Sequence, residues 1–138
     1  MRGSCLLWVG LAGHAAAAHA ACGDQLSATG RLQAAAGGVQ IAFAPRTGPL
    51  TVGRHFALDL VACAPPGTAT PTALRVDADM PAHRHGMNYR ATVQALGAGR
   101  FLAEGLMFHM PGRWRFIFDL DPGGGAPPLR LTQEVELE

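Results

Sequence analysis

Glycine and proline punctuate this chain so densely that no long stretch keeps a helical period. The 18 Gly and 10 Pro among 138 residues cut it into pieces of roughly five to ten residues, the length of a strand. Within those pieces apolar and polar residues alternate, the period of a half-buried strand. From Arg54 to Cys63, Phe56, Leu58, Leu60 and Ala62 share one face, with His55 and Asp59 on the other. From Thr72 to Met80, Leu74, Val76, Ala78 and Met80 alternate with Arg75, Asp77 and Asp79. Trp114, Phe116, Phe118 and Leu120 alternate with Arg115, Ile117 and Asp119. Leu131, Val135 and Leu137 alternate with Thr132, Glu134 and Glu136.

Shorter runs at Val39–Ala44, Tyr89–Ala95 and Arg100–Leu106 bring the expected number of strands to seven. Turns such as Ala64-Pro65-Pro66-Gly67 and Asp121-Pro122-Gly123-Gly124-Gly125 separate them, and Gly97-Ala98-Gly99 suits a tight hairpin. Seven short strands at this spacing predict an all-β, immunoglobulin-like Greek-key sandwich over residues 38–138. Residues 21–37, rich in Ala and Gly, read as an irregular lead-in.

Residues 1–20 read as a cleavable signal peptide. Arg2 is the sole charge before Asp24, an apolar stretch runs from Cys5 to Ala12, and Ala18-His19-Ala20 fits a small-residue cleavage pattern. A retained anchor would need roughly 20 consecutive apolar residues, and this run breaks at Gly13-His14. The expected location is the periplasm or another exported space, with no integral membrane segment after cleavage. The alternative is a lipoprotein anchored through Cys22, although His19 stands where that modification favours a large aliphatic residue.

Of the 11 basic residues none is lysine, and loss of Arg2 leaves ten arginines against 10 acids. That balance supplies no electrostatic reason to expect nucleic acid or an anionic membrane as partner. Cys5 leaves with the signal peptide. Cys22 and Cys63 remain, an even count in an oxidising space, and read as a disulfide. The rival is a cysteine metal site, but neither residue has a further Cys or His at ligand spacing downstream.

Two short segments hold most of the imidazole and thioether side chains. One is Met80-Pro81-Ala82-His83-Arg84-His85-Gly86-Met87, and the other is Met107-Phe108-His109-Met110-Pro111-Gly112. In extended chain His83, His85 and Met87 fall on one side, as do Met107 and His109. In a seven-strand sandwich the two segments join successive strands at the same end, where His55 opens the second strand. Imidazole and thioether without thiolate is a ligand set suited to copper, especially Cu(I). The expected ligands are His83, His85, Met87, His109 and Met110, with His55, Met107 and Met80 as further candidates. Each piece also has a plainer reading: methionine at a strand end is commonly core filler, and a lone His such as His55 is commonly structural.

The pattern Met-Pro-x-His-x-His-Gly-Met at 80–87, followed by Gly105-Leu106-Met107-Phe108-His109-Met110-Pro111-Gly112-x-Trp114, resembles the YtkA-like group of small exported bacterial β-sandwich proteins. It also resembles the periplasmic portion of FixH-type oxidase-assembly proteins. The resemblance covers roughly residues 38–138 and implies a periplasmic module linked to copper handling or respiratory-complex maturation. Arg84 departs from it, standing where such proteins often carry glycine.

Two functions follow as expectations. In the first the chain is a copper-binding protein or metallochaperone that exchanges Cu(I) with a periplasmic donor or acceptor protein. In the second it is a metal-free module assisting assembly of a respiratory or membrane complex, with Tyr89 and Arg113 as surface anchors. No nucleophile elbow, phosphate-binding loop or HExxH motif occurs, so an enzyme is not expected and no residue is assigned as catalytic.

Overall fold

The computed structural model describes residues 20–138. The signal peptide expected at residues 1–20 therefore lies outside the described residues, Ala20 excepted. Nine strands follow in order: β1 (Leu32–Ala36), β2 (Val39–Pro45), β3 (His55–Cys63), β4 (Ala73–Met80), β5 (His85–Gly86), β6 (Thr92–Gly97), β7 (Arg100–Met107), β8 (Gly112–Asp121) and β9 (Leu129–Leu137). Among the described residues no helix is long and apolar enough to cross a membrane.

The strands form two antiparallel sheets, β1-β2-β3-β7-β6 and β5-β4-β8-β9. The chain leaves the first sheet after β3, returns to it for the β6–β7 hairpin, and leaves again for β8 and β9. With β2-β3-β7-β6 facing β4-β8-β9, this is the immunoglobulin arrangement with Greek-key connections. The expected fold class is therefore what the chain adopts.

The alternating residues meet between the sheets. Ile41, Phe43, Leu58 and Leu60 come from one side, and Trp114, Phe116, Phe118 and Leu120 from the other, each at most 1% exposed. The Phe43 ring touches Phe116 at 5.1 Å and Phe118 at 4.8 Å between centroids, bridging the layers. Burying each such side chain contributes about 1.5–3 kcal/mol. The outward residues of β4, β8 and β9 pair across strands instead. Arg115 donates two hydrogen bonds to Asp79 at 2.9 and 2.6 Å, and Arg130 donates two to Asp119 at 2.7 and 2.9 Å. The Arg130 hydrogen bonds hold the Asp119 carboxyl below its ordinary range.

Three local features differ from the sequence reading. Part of the lead-in is ordered as β1, which pairs with β2 from Leu32↔Phe43 to Ala36↔Val39. The connecting Gly37-Gly38 has φ of 56° and 78°, the doubly left-handed hairpin turn that glycine makes at no steric cost. The sixth strand starts at Thr92 rather than Tyr89. And β5, two residues long, lies inside the segment read as a loop.

Cys22 and Cys63 form a disulfide with their Cα atoms 6.0 Å apart. The bond ties the start of the described chain to the last residue of β3, at the end opposite His55.

Candidate metal centre

The connections that follow β2, β4, β5 and β7 gather at one end of the sandwich. After β4, the amides of His83 and Arg84 both donate to the Met80 carbonyl, at 3.0 and 2.9 Å. That turn requires Arg84 at φ 56°. The chain then runs back antiparallel, with His85 directly opposite Met80. Directly paired residues share a face, and Met80 is 1% exposed within the core. His85 is therefore turned inward over the end of the core, its ring 5.9 Å from Trp114 at 70°.

The β7–β8 connection supplies the second histidine. Phe108 is buried in the core, and the Gly53 amide donates to its carbonyl at 2.8 Å. His109, next in the chain, lies edge-on to Trp114 with ring centres 5.3 Å apart. Its ring centre is also 5.3 Å from that of His85, and His85 lies 5.7 Å from exposed His83. Three imidazoles thus form a row, the inner two of them against one indole. The Trp114 Nε1–H donates to the Met110 carbonyl at 3.0 Å, and Phe108 flanks the indole at 4.8 Å. This bond fixes the course of the connection bearing His109.

Polar satisfaction at the row is incomplete. His109 Nδ1 is buried and has no hydrogen-bond partner. His85 Nδ1 lies 3.1 Å from the Gly86 carbonyl. Met87 and Met110 are half-buried against the margin of the core, and the Met87 amide donates to the Ala78 carbonyl at 3.1 Å, extending the β4–β5 pairing.

The ring spacings suit imidazoles sharing one ion. Zinc takes imidazole nitrogens at about 2.0–2.1 Å, so at similar bond lengths two rings on one ion stand roughly 5–6 Å apart. Among the described residues, however, no three His, Cys, Asp or Glu side chains converge as a ready-made metal site. A centre here would draw on the thioethers of Met87 and Met110 or on a turn of the exposed His83 ring.

The other expected ligands stand elsewhere. Met80 is a core residue. An added Cβ on Gly112, which has φ 120°, would meet its terminal methyl at 2.9 Å. His55 and Met107 are paired across β3 and β7, next to Phe56 and Leu106, which turn into the core. Strand alternation therefore directs both to the outer face of that sheet, where His55 packs edge-on against Tyr89 at 4.8 Å. The residue not anticipated as part of the centre is Trp114, whose alternation marked it as core only.

Arg84 invites a direct test. A non-glycine residue in the left-handed region costs roughly 1–2 kcal/mol, partly cancelled by the greater freedom glycine has when unfolded. Arg84→Gly is expected to raise stability by about 0.5 kcal/mol in urea melts. A loss of stability would mean that the arginine side chain holds the turn.

No family model matches the chain, and no curated protein matches it significantly. Among solved structures it is similar to the crystal structure of a DUF4426 family protein from Pseudomonas aeruginosa PAO1, with a TM-score of 0.53 at 11% identity. The match covers 80% of this chain and 96% of that one. At that identity the likeness concerns the fold.

Proposed function

We propose that this is an exported, periplasmic copper-binding protein that carries Cu(I) and exchanges it with a donor or acceptor protein. The metal is cargo. His83, His85 and His109 supply imidazole, and Met87 and Met110 supply thioether. The observation that carries the reading is His109 Nδ1, buried without a partner beside the His85 ring, which in turn adjoins His83. Leaving a buried polar atom unsatisfied costs about 1–3 kcal/mol, a penalty that a soft cation would relieve. If His85 Nδ1–H donates to the Gly86 carbonyl, Nε2 keeps its lone pair for the metal, the usual way a backbone carbonyl orients a ligating histidine. The likeness of the two His/Met segments to YtkA-like and FixH-type proteins supports the same reading. The exposed His83 gives an incoming partner a first ligand to replace. No residue has a catalytic role in this scheme.

Purified protein is expected to bind about one Cu(I) per chain in competition with a chromogenic chelator, and to prefer it to zinc, because thioethers favour the soft ion. His83→Ala/His85→Ala is expected to abolish binding while leaving the thermal transition in place, since His83 is exposed and His85 covers only the margin of the core, in a strand two residues long. His55→Ala is expected to leave affinity within about threefold, its ring facing the other side of the sheet. Absence of copper affinity in wild type, or wild-type affinity in the double variant, would sink the proposal.

The second reading, a metal-free assembly module, rests on Tyr89, a large apolar side chain 41% exposed. Arg113 is less suited to be its companion, because it is paired with Glu136 at 3.2 Å. Unchanged fold and absent copper affinity would favour this reading.

A further inference from the structure

The arginines of this protein that lack an ion-pair partner are distributed unevenly, and most of them fall at the His/Met end. Six of the ten arginines among residues 20–138 stand within 4.0 Å of a carboxylate oxygen: Arg31, Arg46, Arg75, Arg113, Arg115 and Arg130. The other four, Arg54, Arg84, Arg90 and Arg100, have no such partner among the described residues. Arg100 opens β7, at the disulfide end. Arg54, Arg84 and Arg90 all lie in the connections that gather around the imidazoles, and all three are exposed. Those connections, residues 46–54, 81–91 and 108–111, contain no Asp or Glu.

A site meant only to hold a metal cation gains nothing from three exposed arginines without an ion-pair partner at the same end, since their field opposes metal binding. The arginines answer to something else. Tyr89, beside Arg90 in the chain and packed on His55 next to Arg54, is one of two large apolar side chains that remain exposed among the described residues. An exposed tyrosine among arginines is the composition that dominates binding energy at protein interfaces.

We infer that the His/Met end is a docking face for a protein with clustered surface carboxylates, with Arg54, Arg84 and Arg90 steering the approach and Tyr89 as the anchor. This names the partner of the site proposed above, while standing on observations independent of the metal. A carboxylate-bearing surface would pair the cations and bring its own ligands against His83. Electrostatic steering of this kind raises the rate of encounter and weakens with salt. An anionic lipid surface is the poorer match. Juxtamembrane lipid-binding clusters contain about four to eight Lys or Arg, against three here.

The test uses the purified, disulfide-bonded protein and fluorescently labelled poly-L-glutamate as the probe. Binding is followed by anisotropy at low and at physiological salt. Arg54→Gln/Arg84→Gln/Arg90→Gln is expected to weaken binding by about tenfold or more, and Tyr89→Ala by about threefold. Arg100→Gln, which removes the same charge at the far end, is expected to stay within about twofold of wild type. Equal binding by wild type and the triple variant would overturn the inference, as would an Arg100→Gln loss as large as that of the triple variant. So would tighter binding to phosphatidylglycerol vesicles than to poly-L-glutamate, if the triple variant removed it, because the face would then belong to a membrane. His83→Ala/His85→Ala separates this inference from the copper reading: loss of copper with retained poly-L-glutamate binding leaves the docking face standing, whatever becomes of the metal.

Discussion

Trp114→Ala is expected to destabilise the fold by roughly 3–5 kcal/mol, the range for removing a large buried aromatic. Domains of this kind are stable by about 5–15 kcal/mol in all, so the variant would stand near the threshold of folding. The expectation rests on more than area. Trp114 is fully buried, flanked by Phe108 at 4.8 Å, and donates its indole N–H to the Met110 carbonyl. Its loss would leave a cavity under His85 and His109 and unpair that carbonyl. Trp114→Phe retains much of the volume and isolates the hydrogen bond, at an expected cost nearer 1–3 kcal/mol. Arg115→Ala, one residue on, should cost no more than about 1 kcal/mol: its partner Asp79 is partly solvated, and exposed ion pairs contribute little. Urea melts of the three variants give the order directly. A loss for Arg115→Ala exceeding that for Trp114→Ala would mean that β8 faces the other way.

Breaking the disulfide is expected to have a comparable effect. Cys22 and Cys63 are 41 residues apart in sequence, and opening a loop of that length costs about 4 kcal/mol through the freedom returned to the unfolded chain. Cys22→Ser/Cys63→Ser should lower the urea midpoint and steepen the slope, because the unfolded chain without the cross-link is less compact and exposes more surface. Thiol titration of denatured, unreduced protein should find neither residue free. Because the bond lies at the end opposite the histidines, any fraction that stays folded should bind copper as the wild type does under the proposal above. Loss of copper affinity in a still-folded double variant would argue that the cysteines belong to the metal site after all.

The strands with strict alternation were legible before any coordinates: β3, β4, β8 and β9 each present a clean apolar row, and the rows meet as expected. β1 was not, because Leu32-Gln33-Ala34-Ala35-Ala36 has neither β-branched nor aromatic residues. Its order comes from pairing with β2 and packing against β9, where an added Cβ on Gly37 would meet the Leu129 side chain at 3.1 Å. β5 was hidden because two residues are too short to show a period. At the candidate centre, convergence of His83, His85 and His109 on one end followed from counting strands. The division of the remaining ligands did not. Met80 completes the same apolar row as Leu74, Val76 and Ala78, and that row already pointed it into the core. His55 and Met107 depended on the register between β3 and β7, which shifts between Phe56 and Leu58. Gly105, at φ 83°, lies in the stretch of β7 that carries the extra residue, and nothing in residue order alone specifies that shift.

The placement of the disulfide also decides how the molecule can be held. Ala20 is two residues from Cys22, so a linkage made at Ala20 starts from the end farthest from the imidazoles. A strand of nine residues, such as β3, rises about 30 Å, and that is roughly the distance separating a tether there from His83. Leu137, by contrast, pairs with Gly112 beside the centre. An affinity tag or surface linkage joined before Cys22 would present the histidines outward to an approaching protein, while the same tag joined after Leu137 would crowd them. Immobilised through the first route and not the second, the molecule should leave its histidine end open to whatever approaches it.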